Sequence, residues 1–330
     1  FAKSPETTPS LFTAAGIGRD MISIVGDVRD LPAVRNVFAG HHPEIVFHLA
    51  AQPLVRRSYR EPIETFSTNV MGTAHVLEAA RETPSVRSVV VVTSDKCYDN
   101  REWVWGYREC EPMGGHDPYS ASKGCAELIT AAYRRSFFCT EGRAAVGSGR
   151  AGNVIGGGDW SEDRLIPDIV RSLVNGTPIV IRRPRAVRPW QHVLEPLRGY
   201  LMLAWKLAEF GHEFADGWNF GPHSQDALPV RELAELMVNF WGSGVLTIAE
   251  QADSPHEAGL LTLDSSKARS RLGWSSILRA PDAVRMTVEW YRDFYRRPQD
   301  AEQLLNRQIE EFSGLVAPFE APLRFLRASA

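Results

Sequence analysis

The stretch VVVVTSDKCYDN, Val89–Asn100, runs through four valines and then turns abruptly to two hydroxyls, an acid and a lysine. A β-branched run closed by small polar residues reads as a parallel strand buried on both faces, and in open α/β sheets ligands gather at the carboxyl ends of such strands. Asp95 and Lys96 therefore sit where a site is expected. On this stretch alone, an Asp95 that caps a turn beside a solvated Lys96 is the plainer alternative.

Working outward, the same rhythm repeats. MISIV (21–25) precedes LPAVRNVFAG, EIVFHLA (44–50) precedes PIETFSTNVMGTAHVLEAARE, and VRSVVVVTS precedes PYSASKGCAELITAAYRRSFF. Short apolar runs alternating with helical patterns predict βαβ units, hence an α/β fold with a doubly wound parallel sheet. Beyond about residue 160 Pro and Gly recur, and short runs such as PIVIRR and WNFG mix with helices up to PDAVRMTVEWYRDFYRR. The expected division is a nucleotide-binding part over 1–160 and a smaller mixed α/β part over 161–330, with some segments crossing over. The chain has 330 residues, 44% hydrophobic and 23% charged, with a net charge of -3. That is ordinary globular composition and gives no reason to expect a nucleic-acid or membrane-surface partner. No apolar run approaches the roughly 18 residues of a spanning helix. Cys97, Cys110, Cys125 and Cys139 are too widely spaced for a zinc or redox motif, and reduced thiols in a cytoplasm are the simplest reading.

A doubly wound nucleotide-binding sheet normally opens with a strand and a glycine-rich turn that cradles pyrophosphate. GIGRD (16–20) has no preceding strand and GNVIGGGDW (152–160) comes late, so an opening βαβ segment is expected to be absent from this sequence, which begins with Phe. In DPYSASKGCAEL, Tyr119 and Lys123 are four apart and share a helix face. An ammonium near a phenol favours phenolate and would lower the tyrosine pKa from about 10, making Tyr119 a base for a hydroxyl. The motif alone is common; its place after the Val89 strand gives it weight.

Together GDVRD (26–30), HLAAQ (48–52), TNVMGT (68–73), TSDK, YSASK and RAGNVIGGGDW resemble the extended short-chain dehydrogenase/reductase family, with its Rossmann-like fold. RLIP (164–167), RPWQHV (188–193), WNFG (218–221) and LDSSKARSRLGW (263–274) resemble its nucleotide-sugar branch. SDKCYDNREWVWGYRE, RAGNVIGGGDW and RPWQHVLEP are most similar to the subgroup of 4,6-dehydratases acting on CDP-glucose. The resemblance runs from about residue 9 through nearly all the chain. It implies NAD as cofactor, a nucleotide-diphosphate hexose as substrate, a homodimer built on helices within 61–82 and 118–137, and a place in cytoplasmic deoxysugar biosynthesis. The implied reaction oxidises carbon 4 of the hexose, eliminates water across carbons 5 and 6, and returns hydride to carbon 6.

The same resemblance assigns residues. Asp95 matches the general acid, Ser94 the hydroxyl beside the sugar's oxygen 4, and Tyr119 with Lys123 the oxidation pair. Lys96 stands where dTDP-glucose enzymes carry a glutamate base, either as a deprotonated base or as an electrostatic stabiliser. Asp27 and Val28 match positions flanking the adenine; Leu49, Ala50 and Ala51 match backbone around phosphates and ribose. Thr93, Tyr119 and Lys123 match the nicotinamide ribose contacts. Asn153, Leu165 and Arg188 match nucleotide-diphosphate contacts, Arg188 offering a fork of donors. Asn69 is expected to brace the strands. HEAG (256–259) lacks the arginine that dTDP-glucose enzymes place on the pyrophosphate. The aromatic REWVWGYRE (101–109) reads either as a loop near the site or as surface packing. A 4-epimerase would share the fold, NAD and YxxxK without needing an acid at carbon 6, and a scaffold that had lost its cofactor would need none of these residues.

Overall fold

The computed structural model describes residues 1–140, 142–249 and 259–316. The valine run forms β2 (Ser88–Val92), which pairs in parallel with β1 (Ile45–His48) on one side and β3 (Ala145–Arg150) on the other. An edge strand, Gly217–Asn219, extends the sheet beside β3, with Ser148 opposite Gly217. All four strands run parallel, and every connection between neighbours carries helix, the requirement for a parallel sheet.

Alternation along β2 explains the unbroken valines. Val89 and Val91 pack into one apolar cluster with Val34, Phe38, Leu77 and Val146, under helices Leu31–His41, Gly72–Glu82 and Pro118–Ser136. Val90 points the other way, into a cluster with Leu203, Leu207 and Trp218 under helix Leu194–Phe210. Each valine removes its whole side chain from water, worth roughly 1.5–3 kcal/mol apiece. The second helix lies close because β3 carries glycine: a Cβ on Gly149 would stand 2.6 Å from Tyr200 Cε1.

A further cluster gathers Ile155, Trp160, Ile169, Trp190, Leu233, Val288, Trp290 and Phe294, and Leu11 and Ile17 pack on it from the start of the chain. Two short parallel strands, Ile179–Ile181 and Leu246–Ile248, lie in this later region. The WNFG run, expected there too, belongs instead to the main sheet. Trp218 pairs with Gly149 of β3, is fully buried and stacks on Phe214 at 6.0 Å within the cluster under helix Leu194–Phe210. MISIV does not form a ladder: Val25 makes one isolated bridge to Ala2, and Met21 and Ile22 are exposed. Among the described residues no helix is long and apolar enough to cross a membrane.

Candidate active site

Helix Pro118–Ser136 starts where its sequence says it should. Asp117 accepts from Ser120 N at 2.9 Å and from Ser120 Oγ at 2.6 Å, and Pro118 fills the first turn. That start places Tyr119, Lys123 and Glu127 one turn apart along the carboxyl end of β2. Lys123 Nζ donates to Val92 O at 3.4 Å, and Glu127 Oε1 accepts from Thr93 Oγ1 at 2.5 Å.

Beyond Val92 the chain turns tightly through Asp95–Cys97. Ser94 Oγ accepts from Lys96 N at 3.2 Å and donates to Asp95 Oδ1 at 2.9 Å. Asp95 is 1% exposed, yet its Oδ2 has no hydrogen-bond partner among the described residues. It lies against Gly152, where a Cβ would come within 1.9 Å of it. The small residue of RAGNVIGGGDW is what makes room for the acid.

These groups open on a cleft of about 810 Å³ lined by Thr93, Ser94, Asp95, Lys96, Tyr119, Asn153, Leu165 and Arg188 among others. Lys123 is buried immediately behind it. Leu165 begins helix Leu165–Asn175, and Asn153, at φ 49°, has a buried Nδ2 without a partner among the described residues. Arg188 is mostly buried and donates to Val187 O at 2.9 Å and Gly259 O at 3.0 Å. Of HEAG, residues 256–258 lie outside the described residues. The expected cofactor residues Asp27, Val28 and Leu49 to Ala51 do not line the cleft. Leu49 is exposed just past β1, and Ala50 packs on the helix-covered face. Val28 is buried, with its carbonyl 2.9 Å from His75 Nδ1. Asp27 is held by Arg29 at 2.6 Å and by Lys3, and the Arg29 hydrogen bond keeps its carboxyl well below the usual range.

Electrostatics corrects one expectation. Burial pushes the Tyr119 phenol up to about 12, against the Ser94 hydrogen bond and the Arg164 charge that pull it down. The Lys123 ammonium was expected to lower it, but it is turned to Val92 O and is itself lowered to about 8 by burial, with Glu127 opposing. Both side chains are buried, and loss of water is the largest influence on each. Asn69 does brace: Gln52 N donates to its Oδ1 at 2.8 Å, and its Nδ2 reaches Ser122 Oγ at 2.8 Å on the Tyr119 helix. In the aromatic loop Trp103 stacks on Tyr107 at 5.6 Å while Trp105 is exposed, and none of the three lines the cleft.

The sequence reading missed Glu127 and Arg150. Their buried ion pair is 2.7 Å long, with both side chains about 5% exposed. Breaking such a pair by removing one partner costs about 3–5 kcal/mol. The available signal was the spacing: Glu127 follows Lys123 by four residues, as Lys123 follows Tyr119. Arg56 and Arg164 also line the cleft, paired with Asp163 and Asp159.

Against known proteins, the chain is 52% identical over 316 residues to the CDP-glucose 4,6-dehydratase of Salmonella typhimurium strain LT2, covering 94% of this chain and 88% of that protein. Among solved structures it is similar to the dTDP-glucose 4,6-dehydratase of Streptomyces venezuelae with NAD bound, at 27% identity and TM-score 0.69, covering 82% and 79% of the two chains. The UDP-glucose 4-epimerase of Thermotoga maritima shares the fold at 22% identity and TM-score 0.72, covering 84% and 86%. The family model described as GDP-mannose 4,6 dehydratase matches residues 13–287, which span the sheet, the Tyr119 helix and the cleft. The chain belongs to that family.

Proposed function

We propose that this chain dehydrates CDP-D-glucose to CDP-4-keto-6-deoxy-D-glucose with NAD as cofactor. One observation carries the reading: a buried acid with an unpartnered oxygen, Asp95 Oδ2, opens on the same cleft as Ser94 and Tyr119. Oxidation alone needs a hydroxyl-directed base; elimination also needs an acid for the leaving oxygen at carbon 6, and Asp95 fills that need. The choice of CDP-glucose rests on the Salmonella relative, and that of NAD on the NAD-bound Streptomyces structure. The residues fit the cofactor's reactive end, because the phenol and ammonium a nicotinamide ribose requires stand at the carboxyl end of β2.

NAD, when bound, supplies the acceptor and later donor of hydride, and a positive charge beside the phenol. The protein's own groups do the rest. Ser94 and Tyr119 hold the carbon 4 hydroxyl, and Tyr119 takes its proton as the carbon is oxidised. The Lys123 ammonium, which donates to Val92 O, is assigned to the nicotinamide ribose. The new ketone acidifies the proton on carbon 5, and Lys96 removes that proton or stabilises the resulting enolate. Asp95 protonates the carbon 6 oxygen, which leaves as water. As reduction at carbon 6 completes the cycle, a proton returns to carbon 5, the carbon 4 oxygen stays a ketone, and the proton held by Tyr119 is released as Asp95 regains one from solvent, so that the cofactor ends unchanged. Arg188, Asn153 and Leu165 hold the diphosphate end, while Asp27, Val28 and Leu49 to Ala51 flank the cofactor with Thr93. We assign cofactor binding mainly to 1–160 and substrate binding mainly to 161–330.

A cytoplasmic homodimer belongs to the same proposal. Ile63 is 79% exposed and Leu128 60%, on the helices expected to pair. Incubating the protein with CDP-glucose, dTDP-glucose and GDP-mannose and following the 4-keto-6-deoxy product tests the reading; conversion of none of them removes it, and preference for another sugar moves the substrate.

A further inference from the structure

Helix Pro118–Ser136 grips β2 at successive turns. Tyr119 meets Ser94, Lys123 donates to Val92 O, and Glu127 accepts from Thr93 Oγ1. Glu127 has no exposure to spare for solvent, and its other oxygen accepts from Ser148 Oγ at 2.8 Å and Arg150 Nη2 at 2.7 Å. Burial alone would push this carboxyl up; the Arg150 charge and the three hydrogen bonds hold it below its ordinary value, so it is an anion. Arg150 continues the chain of contacts, donating to Tyr98 OH at 2.6 Å, which donates to Asn219 Oδ1 at 2.7 Å on the edge strand. A single carboxylate thus ties the helix to β2, β3 and, through Arg150, to the far edge of the sheet. Such an investment of charge in the core is unnecessary for packing, because an apolar pair of similar volume is often as stable.

We propose that Glu127, clamped by Arg150, is a positioning residue that locks the Tyr119 helix onto the strand end bearing Ser94 and Asp95 and supplies the negative charge that faces Lys123. Three titratable groups face Lys123: Glu127 on its own helix, Cys97 on the turn after β2, and His48 on β1. Cys97 is held as a neutral thiol by burial, and His48 as a neutral imidazole. Glu127 is therefore the anion that keeps Lys123 protonated at the working pH. Arg150 pairs with Glu127 through Nη2 and directs Nη1 to Tyr98, and the carboxylate's charge is what raises Lys123 against its burial.

The role rests on the dehydratase reading, and the experiment separates the two. Wild type converting CDP-glucose supports that reading; wild type converting no nucleotide sugar removes it, whatever Glu127 does. E127Q keeps the grip on Thr93 and Ser148 but loses the charge. We expect it to shift the alkaline limb of the turnover profile downward by about one pH unit, with KM for CDP-glucose within twofold of wild type. E127D keeps the charge on a shorter arm; its limb should stay in place while turnover falls about tenfold or more. Should E127Q fail to fold because Arg150 is left unpaired, E127Q/R150M removes both charges and should show the same shift. A readout without substrate runs alongside. Lys123 titrates at about 8 in the fold against 10.5 in the free side chain, so stability to urea rises with pH across that window, and in E127Q the window should open below 8. A folded E127Q or double variant whose limb and urea window both match wild type overturns the proposal.

Discussion

Gly152→Ala should separate oxidation from elimination. The glycine's φ lies outside the left-handed region, so its backbone accepts alanine. The new Cβ would stand 1.9 Å from Asp95 Oδ2 and 2.1 Å from Asp95 Cγ, where ordinary contact begins near 3.4 Å. Something must move by about 1.5 Å, and the carboxylate, at the free end of a side chain with one unpartnered oxygen, is what yields. A displacement of about 1 Å at a reacting group costs on the order of 10²-fold in rate, or about 2.7 kcal/mol in the barrier.

The three atoms nearest the Gly152 position all belong to Asp95, so its carboxylate takes the displacement; Ser94 Oγ loses its hydrogen bond to Asp95 Oδ1 but keeps the one it accepts from Lys96 N. Oxidation at carbon 4 should survive while elimination slows. Substrate mixed with the NAD-loaded variant should therefore build up the absorbance of the reduced cofactor within one turnover, more than wild type does, while steady-state formation of the keto product falls about 10²-fold. Asp95→Asn should give the same signature by chemistry instead of by position. Thermal unfolding of Gly152→Ala should stay close to wild type. A folded, NAD-bound Gly152→Ala protein that dehydrates CDP-glucose at the normal rate refutes the placement of the acid.

Four further outcomes follow from the same geometry. Tyr119→Phe removes only the phenolic oxygen and should lower turnover about 10²- to 10⁴-fold at unchanged fold, checked by steady-state rates and circular dichroism. Arg188→Ala should raise KM for CDP-glucose with little change in turnover, since its assigned partner is a phosphate remote from the reacting carbons; an effect on turnover alone contradicts that role. Leu128→Glu should convert the proposed dimer to monomer by light scattering, and a wild-type protein already monomeric at micromolar concentration removes that proposal. Burial lowers His48 from 6.5 to about 3 and His192 from 6.5 to about 4. Between pH 6.5 and 4 the unfolded chain then binds about two protons that the fold does not, so stability should fall as pH falls, and urea midpoints independent of pH across that window would contradict it.

Where local physics dominates, the sequence was readable. The β2 valines, the Asp117–Pro118 helix start and the Tyr119–Lys123 spacing are all matters of short-range pattern, and each element appears within a residue or two of its expected place. The cleft likewise collects Ser94 with Asp95, Asn153, Leu165 and Arg188 from four segments. WNFG was misplaced because three residues of strand pattern carry no information about which sheet they join; the partner of Trp218 is decided by the apolar face of helix Leu194–Phe210. The tyrosine's electrostatics failed for a related reason. Spacing put an ammonium near a phenol, but the sign of the result depends on how much water each loses, a property of the assembled core.

Glu127 marks the limit most sharply. A helix period shows that it shares a face with Tyr119 and Lys123, and by itself that face could look to solvent, as a glutamate's usually does. What turns it inward is the register of β2 against the helix, which brings Thr93 opposite, and the register of β3 against β2, which brings Ser148 and Arg150 to the same carboxylate. Three separated segments must dock before the charge has partners, and until they dock it is a penalty. A residue of this kind is thus a condition on the whole fold: the chain can bury it only in the arrangement that also sets Tyr119 beside Ser94, so that the geometry of the reacting groups and the satisfaction of the buried ion pair are reached together or not at all.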